Sequence, residues 1–243
     1  PQPVEPFSVV VGDFDGDGRT DVAVSVGDTA ASTRIDVYSA RADGTYAPTP
    51  DLFVSPAHDP GVLAAVYLSY VGDVDRDGYG DVLAIGVEPG VRNVVTLVHG
   101  SAAGLVDRGD AADRLDVGNR RDLRAIGDVD GDGYPDVTIA DTGGPDGLIW
   151  LPLRGGLDAS AEVPLAVPAR YVTSASAANL GDVDGDGYSD VLLVATTADP
   201  TVAPDVRLVH GGPLGLAFER SDLLEAHRFE DVRGVGDANH DGC

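Results

Sequence analysis

Four aspartates stand within nine residues of the stretch GDVDGDGYPDV, which spans residues 127 to 137. They are Asp128, Asp130, Asp132 and Asp136, and only Gly, Val, Tyr and Pro separate them. Carboxylates this close repel one another by roughly 4 kcal/mol per pair at the screening typical of a protein surface. A metal ion is the natural source of positive charge, because this stretch contains no lysine or arginine. Several carboxylates with a backbone carbonyl suit Ca2+ better than Mg2+.

The same pattern occurs four times along the chain. It reads GDFDGDGRTDV at 12 to 22, GDVDRDGYGDV at 72 to 82 and GDVDGDGYSDV at 181 to 191, and it breaks off as GDANHDGC at the end. The first aspartates stand at 13, 73, 128, 182 and 237, so the repeat length is about 55 residues. A fixed period of this size indicates a repeat architecture. We call the nine-residue aspartate segments loops 1 to 4, at 13–21, 73–81, 128–136 and 182–190.

Composition excludes several classes of partner. The net charge is −25, and 16 of the 35 aspartates belong to the four loops. Nucleic acid is therefore not expected as a partner, since no basic patch is present to neutralise phosphates. No apolar run approaches the ~20 residues of a membrane span. The chain starts at Pro1 and contains no methionine, so we take it as a mature piece or fragment of a longer protein.

The residues that follow each loop exclude an EF-hand. An EF-hand loop needs a bidentate acidic residue at position twelve, leading into a helix. Here position twelve is Val24, Ala84, Ile139 or Leu193, inside the runs DVAVSV, DVLAIGV, DVTIA and DVLLVAT. Such short runs of Val, Ile and Leu predict strands. Each loop is therefore predicted to be a strand-to-strand turn.

Two further strands complete each repeat. The predicted third strands are RIDVYS at 34–39, NVVTLVHG at 93–100, LIWLPL at 148–153 and DVRLVHG at 205–211, and a weaker fourth strand follows. No amphipathic helix of ten residues is evident. Four antiparallel strands in about 55 residues make one sheet, and repeated sheets of this size pack radially as the blades of a β-propeller.

These residues resemble a known family. The pattern G-D-x-D-x-D-G-x-x-D-V between two strands, with a later G-x-x-x-G-L, is similar to the FG-GAP or VCBS repeat of the integrin α-subunit propeller. The resemblance covers nearly the whole chain, although most literal Phe-Gly and Gly-Ala-Pro signatures are absent. It implies one all-β repeat domain over 1–243 that forms part of a seven-bladed propeller. Its blades would span about 1–60, 61–116, 117–171 and 172–227, with a truncated fifth at 228–243.

In this family the first, third, fifth and ninth residues of the loop give carboxylate oxygens to calcium, and the seventh gives its backbone carbonyl. The resemblance thus implies about four structural Ca2+ sites, plus the beginning of a fifth that lacks its closing ligand. The implied ligands are Asp13, Asp15, Asp17, Arg19 and Asp21; Asp73, Asp75, Asp77, Tyr79 and Asp81; Asp128, Asp130, Asp132, Tyr134 and Asp136; Asp182, Asp184, Asp186, Tyr188 and Asp190; and Asp237, Asn239 and Asp241.

The chain offers no catalytic constellation. His99 and His210 both occur in LVHG at the end of the third strand, and a residue that recurs with the repeat is more often structural than catalytic. His58, His227 and His240 have no partner that the sequence can supply, and G-x-S-x-G and H-E-x-x-H are absent. The tripeptide at 108–110 spells Arg-Gly-Asp, which in so Arg- and Asp-rich a chain is read as a chance match.

We therefore expect a calcium-binding, non-enzymatic module for adhesion to a protein or glycan. Calcium sites of this weak class imply an extracellular location. By the resemblance, the ligand would bind on the face opposite the calcium loops, formed by segments 27–33, 88–92, 141–147 and 196–205. The open edges of the terminal blades predict self-association of the fragment. Two alternatives remain: a carbohydrate-binding lectin propeller, and the scaffold of a secreted polysaccharide lyase or lipase.

Overall fold

The structure of the chain is a computed structural model. It describes residues 5–28, 32–54, 65–87, 93–118, 120, 122–140, 148–165, 174–196 and 205–225. The predicted fifth repeat, with Asp237, Asn239 and Asp241, lies outside these residues. The segments predicted to carry a ligand, 27–33, 88–92, 141–147 and 196–205, lie wholly or partly outside them.

The described residues form four antiparallel sheets of four strands each, and the strands of every sheet are adjacent in chain order. Blade 1 contains β1 (Glu5–Gly12), β2 (Asp21–Asp28), β3 (Ser32–Tyr38) and β4 (Leu52–Val54). Blade 2 contains β5 (Ala65–Gly72), β6 (Asp81–Val87), β7 (Asn93–Val98) and β8 (Arg114–Gly118). Blade 3 contains β9 (Asp122–Gly127), β10 (Asp136–Ala140), β11 (Leu148–Pro152) and β12 (Val163–Leu165). Blade 4 contains β13 (Ser174–Gly181), β14 (Asp190–Thr196), β15 (Asp205–Val209) and β16 (Ser221–Glu225).

The sheets confirm the all-β fold class of four-stranded antiparallel blades. Helical structure in the described part of the chain is confined to two 3-10 turns, Ala111–Asp113 and Ala159–Ala161. Among these residues no helix has the length and apolar character needed to cross a membrane. The total number of blades and the predicted repeat boundaries remain predictions.

The chain divides into two compact units. Residues 1–119 with 154–157 form unit 1, which holds blades 1 and 2, and the remaining residues form unit 2, which holds blades 3 and 4. Each unit has a buried core to which both of its blades contribute. In unit 1 the core is formed by Phe14, Ala23, Ile35, Val37, Val66, Val82, Ala84, Val98 and Leu105. In unit 2 it is formed by Ile126, Val129, Ala140, Leu148, Trp150, Leu165, Ala177, Val191, Leu193, Val209 and Leu216.

Each aspartate loop joins the first strand of its blade to the second. The last residue of the first strand is a glycine, and in blades 2 to 4 this glycine has a φ between +76° and +81°. The register between first and second strands shifts there, as at the step between Tyr70 and Gly72. This local irregularity ends the regular pairing and directs the chain into the loop.

Candidate metal centres

Each aspartate loop is folded by hydrogen bonds between its own carboxylates and its own backbone. The first aspartate accepts, through Oδ2, the N–H of the sixth residue at 2.8 Å in all four loops. The aspartate at position five of the loop accepts the N–H of the residue at position seven at 2.9–3.1 Å. The sixth residue is always glycine, with φ between +78° and +93°. Glycine at this turn therefore has a direct conformational reason, since other residues rarely adopt such a φ.

Of the four aspartates in each loop, the one at position nine, called the ninth aspartate below, is the buried one. Asp21, Asp81, Asp136 and Asp190 have no exposed surface. Their Oδ2 atoms accept the N–H of the second loop residue at 2.7–3.1 Å. In loops 1, 2 and 4, Oδ1 also accepts an N–H just beyond the third strand, from Ala40, Gly100 or Gly211. The ninth aspartate thus connects the loop to its own sheet by hydrogen bonds, and it also faces the other aspartates of its loop.

Carboxylate oxygens converge in these loops. One oxygen each from Asp13, Asp15 and Asp17 lie within 4.8 Å of one another, and the same holds for Asp73, Asp75 and Asp77. In loop 3 the converging residues are Asp128, Asp130 and Asp136. These are residues that the sequence predicted as ligands of one ion.

The electrostatics of this convergence are unfavourable without a cation. Burial is the main cause that raises the pKa of Asp136 to about 8, and the charges of Asp130, Asp132 and Asp128 add to it. Burial likewise raises the pKa of Asp81 to about 6, although two backbone hydrogen bonds oppose the shift. The pKa of Asp21 is also raised, first by burial. The folded chain places carboxylates where their ionised form needs a counter-charge.

Two buried oxygens in these loops have no hydrogen-bond partner. They are Oδ1 of Asp75 and Oδ1 of Asp136. A buried acceptor without a donor costs about 1–3 kcal/mol, and more when it is charged. The donor set of carboxylate oxygens, converging and partly unsatisfied, fits a hard divalent cation such as Ca2+. Calcium, its four sites and the roles of single residues, including the carbonyls of Arg19, Tyr79, Tyr134 and Tyr188, stay predictions.

Arginine contacts in unit 1 were not evident from the spacing of the aspartates. The guanidinium of Arg19 forms an ion pair with Asp17 in its own loop. Arg108, from outside loop 2, contacts Asp75 Oδ2 at 2.9 Å and Asp77 Oδ2 at 3.4 Å. Burial would raise the pKa of Asp75, but Arg108 lowers it on balance. Arg108 is the first residue of the Arg-Gly-Asp tripeptide, and its guanidinium is engaged with loop 2.

Within each unit the aspartate loop of one blade is bonded to the loop of the next. In unit 1, Gly80 N donates to Asp13 O at 2.8 Å, and Ser101 N donates to Phe14 O at 3.1 Å. Unit 2 repeats both bonds: Ser189 N donates to Asp128 O at 2.8 Å, and Gly212 N donates to Val129 O at 2.8 Å. The aspartate loops are therefore also the points where the two blades of each unit are joined.

A tyrosine packs over each of these junctions. A methyl group on Gly16 would lie 2.8 Å from Cε1 of Tyr79, and one on Gly131 would lie 2.6 Å from Cε1 of Tyr188. The seventh residue of the second loop thus covers the fourth residue of the first loop, and only a residue without a side chain leaves room for it.

The two LVHG histidines lie beside loops 2 and 4. His99 Nδ1 is 3.3 Å from Asp75 Oδ2, and His210 Nδ1 is 3.2 Å from Asp184 Oδ2. Their recurrence in the sequence indicated a shared structural position, but the contact with the loop aspartates was missed. The only available signal was that both histidines directly follow the third strand; they come 18 and 20 residues after the ninth aspartate, and only the strand register places them at the same position.

Successive four-stranded blades, each opening on an aspartate loop, define a repeat protein of the propeller-blade class. The model of the FG-GAP-like repeat matches residues 13–84 and 128–193, which is more than half of the chain. The chain therefore belongs to the family of FG-GAP-like repeat proteins. Both matched segments start at the first aspartate of one loop and end just after the next loop, so each contains one of the loop pairs described above.

The chain is also similar to a curated protein, integrin alpha-PS5 of Drosophila melanogaster. The two are 32% identical over 151 residues, which cover 56% of this chain. The same alignment covers 15% of the integrin subunit. The chain thus spans a small part of the length of this relative.

Proposed function

We propose that this chain is a calcium-stabilised, non-catalytic binding module that acts outside the cell in adhesion to a protein ligand. The observation that carries the proposal is the set of buried, converging carboxylates at the junctions between blades. Membership of the FG-GAP-like family and the similarity to an integrin α-subunit support the adhesive role.

The chain's own residues prepare each loop for a cation. The first and fifth aspartates hold the turn, and the ninth aspartate fixes the loop to the second strand of its blade. Calcium, when bound, would supply the positive charge that these carboxylates require. Since the same loops carry the bonds between neighbouring blades, a filled loop would stabilise both blades of a unit. A rigid scaffold of this kind leaves connecting loops free to vary as ligand-binding surfaces.

Calcium binding is tested by thermal unfolding of the chain in millimolar Ca2+ and in excess chelator. A site held at 100 times its dissociation constant contributes about 2.7 kcal/mol. For a chain of this size that corresponds to about 5–10 °C in midpoint per site. We expect a large rise in Ca2+ and a much smaller one in Mg2+. Equal midpoints in Ca2+ and chelator would refute the calcium part of the proposal.

A pair of variants localises the effect. Replacing Asp130 and Asp132 together by alanine removes two predicted ligands from loop 3, and calorimetric titration should then show one calcium equivalent fewer. Asp43→Ala is the matched control, because Asp43 is an exposed aspartate outside the loops. The control should retain every equivalent.

The ligand class is tested by applying the calcium-loaded chain to immobilised extracellular-matrix proteins and to a glycan array. Binding to a matrix protein that is lost in chelator is the expected result. Binding to glycans alone would favour the lectin alternative and would overturn the choice of a protein ligand.

A further inference from the structure

The two histidines that follow the third strands of blades 2 and 4 make matching contacts. His99 Nδ1 lies 3.3 Å from Asp75 Oδ2 and 3.8 Å from Asp81 Oδ1. His210 Nδ1 lies 3.2 Å from Asp184 Oδ2 and 3.5 Å from Asp190 Oδ1. In both cases one imidazole nitrogen faces the third and ninth aspartates of the loop. The three ligand atoms of each set lie within 4.8 Å of one another.

The second ring nitrogen of each histidine faces a further carboxylate. His99 Nε2 is 3.1 Å from Asp113 Oδ1, and His210 Nε2 is 3.3 Å from Asp222 Oδ2. A histidine that binds a metal through one nitrogen commonly donates its other N–H to a carboxylate, which fixes the tautomer and the orientation of the ring. In blade 4 the contact of Nε2 with Asp222 is a hydrogen bond, and a proton on Nε2 leaves the Nδ1 lone pair directed at the two loop aspartates. In blade 2 neither ring nitrogen of His99 has a hydrogen bond of acceptable geometry.

Burial separates the blade 2 arrangement from a surface cluster of acidic residues, whereas in blade 4 the side chain of Asp184 is exposed. His99 is 2% exposed, and its Nδ1 has no hydrogen-bond partner of acceptable geometry. Nδ1 of His210 is also buried and unpartnered. An unsatisfied buried nitrogen recurs at the same place in two blades. Each nitrogen faces the third and ninth aspartates of its own loop.

The distances fit the coordination of a small divalent ion. Bonds of about 2.0 Å from zinc to nitrogen and oxygen place tetrahedral ligands about 3.3 Å apart. The Nδ1 to oxygen distances in blade 4, 3.2 and 3.5 Å, lie close to that value. In blade 2 the ion would share Asp75 Oδ2 with Arg108 Nη1, which lies 2.9 Å from it.

We propose that loops 2 and 4 each contain a mixed nitrogen and oxygen site for a zinc-class transition-metal ion, formed by Asp75, Asp81 and His99 and by Asp184, Asp190 and His210. Imidazole is a ligand for zinc and its neighbours and not for calcium. Two of the three ligands in each site also belong to the predicted calcium set. The two ions therefore compete for these loops, whereas loops 1 and 3, which have Ser39 and Pro152 in place of the histidines, bind only calcium.

The site is tested on the metal-free chain by calorimetric titration with Zn2+ and by pulsed electron paramagnetic resonance with Cu2+, a paramagnetic ion that also binds imidazole. We expect two zinc equivalents, and coupling of Cu2+ to an imidazole nitrogen nucleus. His99→Ser and His210→Ser introduce the residue that blade 1 has at this position. Each should remove one zinc equivalent, and the double variant both. His58→Ser, which changes a histidine outside the LVHG motifs, should leave both equivalents in place.

Three results would overturn the proposal: no zinc binding, zinc binding that survives in the double variant, or no nitrogen coupling in the unaltered chain. The last needs no substitution, so it holds even where a variant fails to fold. Calcium equivalents counted in the double variant separate this outcome from failure of the proposed calcium function, because loops 1 and 3 keep all their ligands.

Discussion

Loops 1 and 3 share their aspartate pattern with loops 2 and 4, yet the two pairs stand in different surroundings. Within each unit, loops 1 and 3 offer backbone carbonyls, and loops 2 and 4 donate N–H groups to them. At the end of the third strand, blades 2 and 4 carry His-Gly, whereas blade 1 has Ser39-Ala40 and blade 3 has Pro152-Leu153. Identical aspartate patterns therefore do not give identical surroundings, because the residues that follow the third strand differ between the two pairs of loops.

The glycine of this His-Gly pair gives the largest expected effect. A methyl group on Gly100 would lie 2.6 Å from Gly80 O, and one on Gly211 would lie 2.5 Å from Ser189 O. Backbone atoms at a blade junction cannot move away cheaply, so Gly100→Ala and Gly211→Ala should each cost about 3 kcal/mol of unfolding free energy. Denaturant unfolding in Ca2+ measures this.

The matched control for both substitutions is Gly156→Ala. A methyl group at Gly156 would meet nothing within 4 Å, and its φ is not left-handed. The control should unfold within about 0.5 kcal/mol of the unaltered chain, as surface substitutions usually do. Equal losses in all three variants would show that the blade junction does not exclude a methyl group.

The aspartates at position nine of loops 3 and 4 differ in their hydrogen bonds. Asp136 Oδ1 has no donor, whereas Asp190 Oδ1 accepts Gly211 N–H at 3.0 Å. An asparagine at 136 can keep its bond to Val129 N–H and place its amide where no donor exists. At 190 the amide would face a second donor. In chelator at neutral pH, Asp136→Asn should therefore stabilise and Asp190→Asn destabilise, each by about 1–3 kcal/mol.

The pH dependence of the metal-free chain provides an independent check on Asp136. Burial and the neighbouring carboxylates raise its pKa from an ordinary 3.8 to about 8. A raised folded pKa favours the protonated form, so its stabilisation is fully present below pH 3.8 and is lost as the pH rises through about 8. Unfolding midpoints in chelator should fall between pH 4 and 8, and less steeply for Asp136→Asn. An unchanged slope would contradict the role given to this group.

Two glycines with the same backbone conformation give a smaller contrast. Gly131 and Gly185 both hold the fourth loop position, with φ of +74° and +78°. Alanine at Gly185 meets no atom within 4 Å, so it should cost only the left-handed strain of about 1 kcal/mol. Alanine at Gly131 also displaces the Tyr188 ring and should cost about 1 kcal/mol more. Equal unfolding free energies for the two variants would show that Tyr188 does not constrain the junction.

The sequence predicted the strands and loops that recur in every blade, but it did not predict the contacts that connect distant parts of the chain. The fourfold aspartate pattern and the apolar runs after it were sufficient to place the second and third strands of each blade. The contacts of Arg108 and His99 with loop 2 were not predicted, because they connect residues 18 to 33 positions apart whose proximity depends on strand register. Likewise, the hydrogen bond from Gly80 N to Asp13 O depends on how two blades pack, which no local pattern encodes.

Ser39→His, which should hardly change stability, tests whether one position separates the two kinds of loop. Ser39 stands at the histidine position of blade 1, and its N–H donates to Asp51 Oδ2 at 3.1 Å. A suitable carboxylate therefore already lies near, as Asp113 and Asp222 do for the native histidines. We expect the variant to bind a third zinc equivalent while keeping its calcium sites, measured by calorimetric titration of both ions. Since blade 1 retains Asp15 and Asp21, a variant that gains no zinc would mean that the orientation of the imidazole, and not its presence, determines the site.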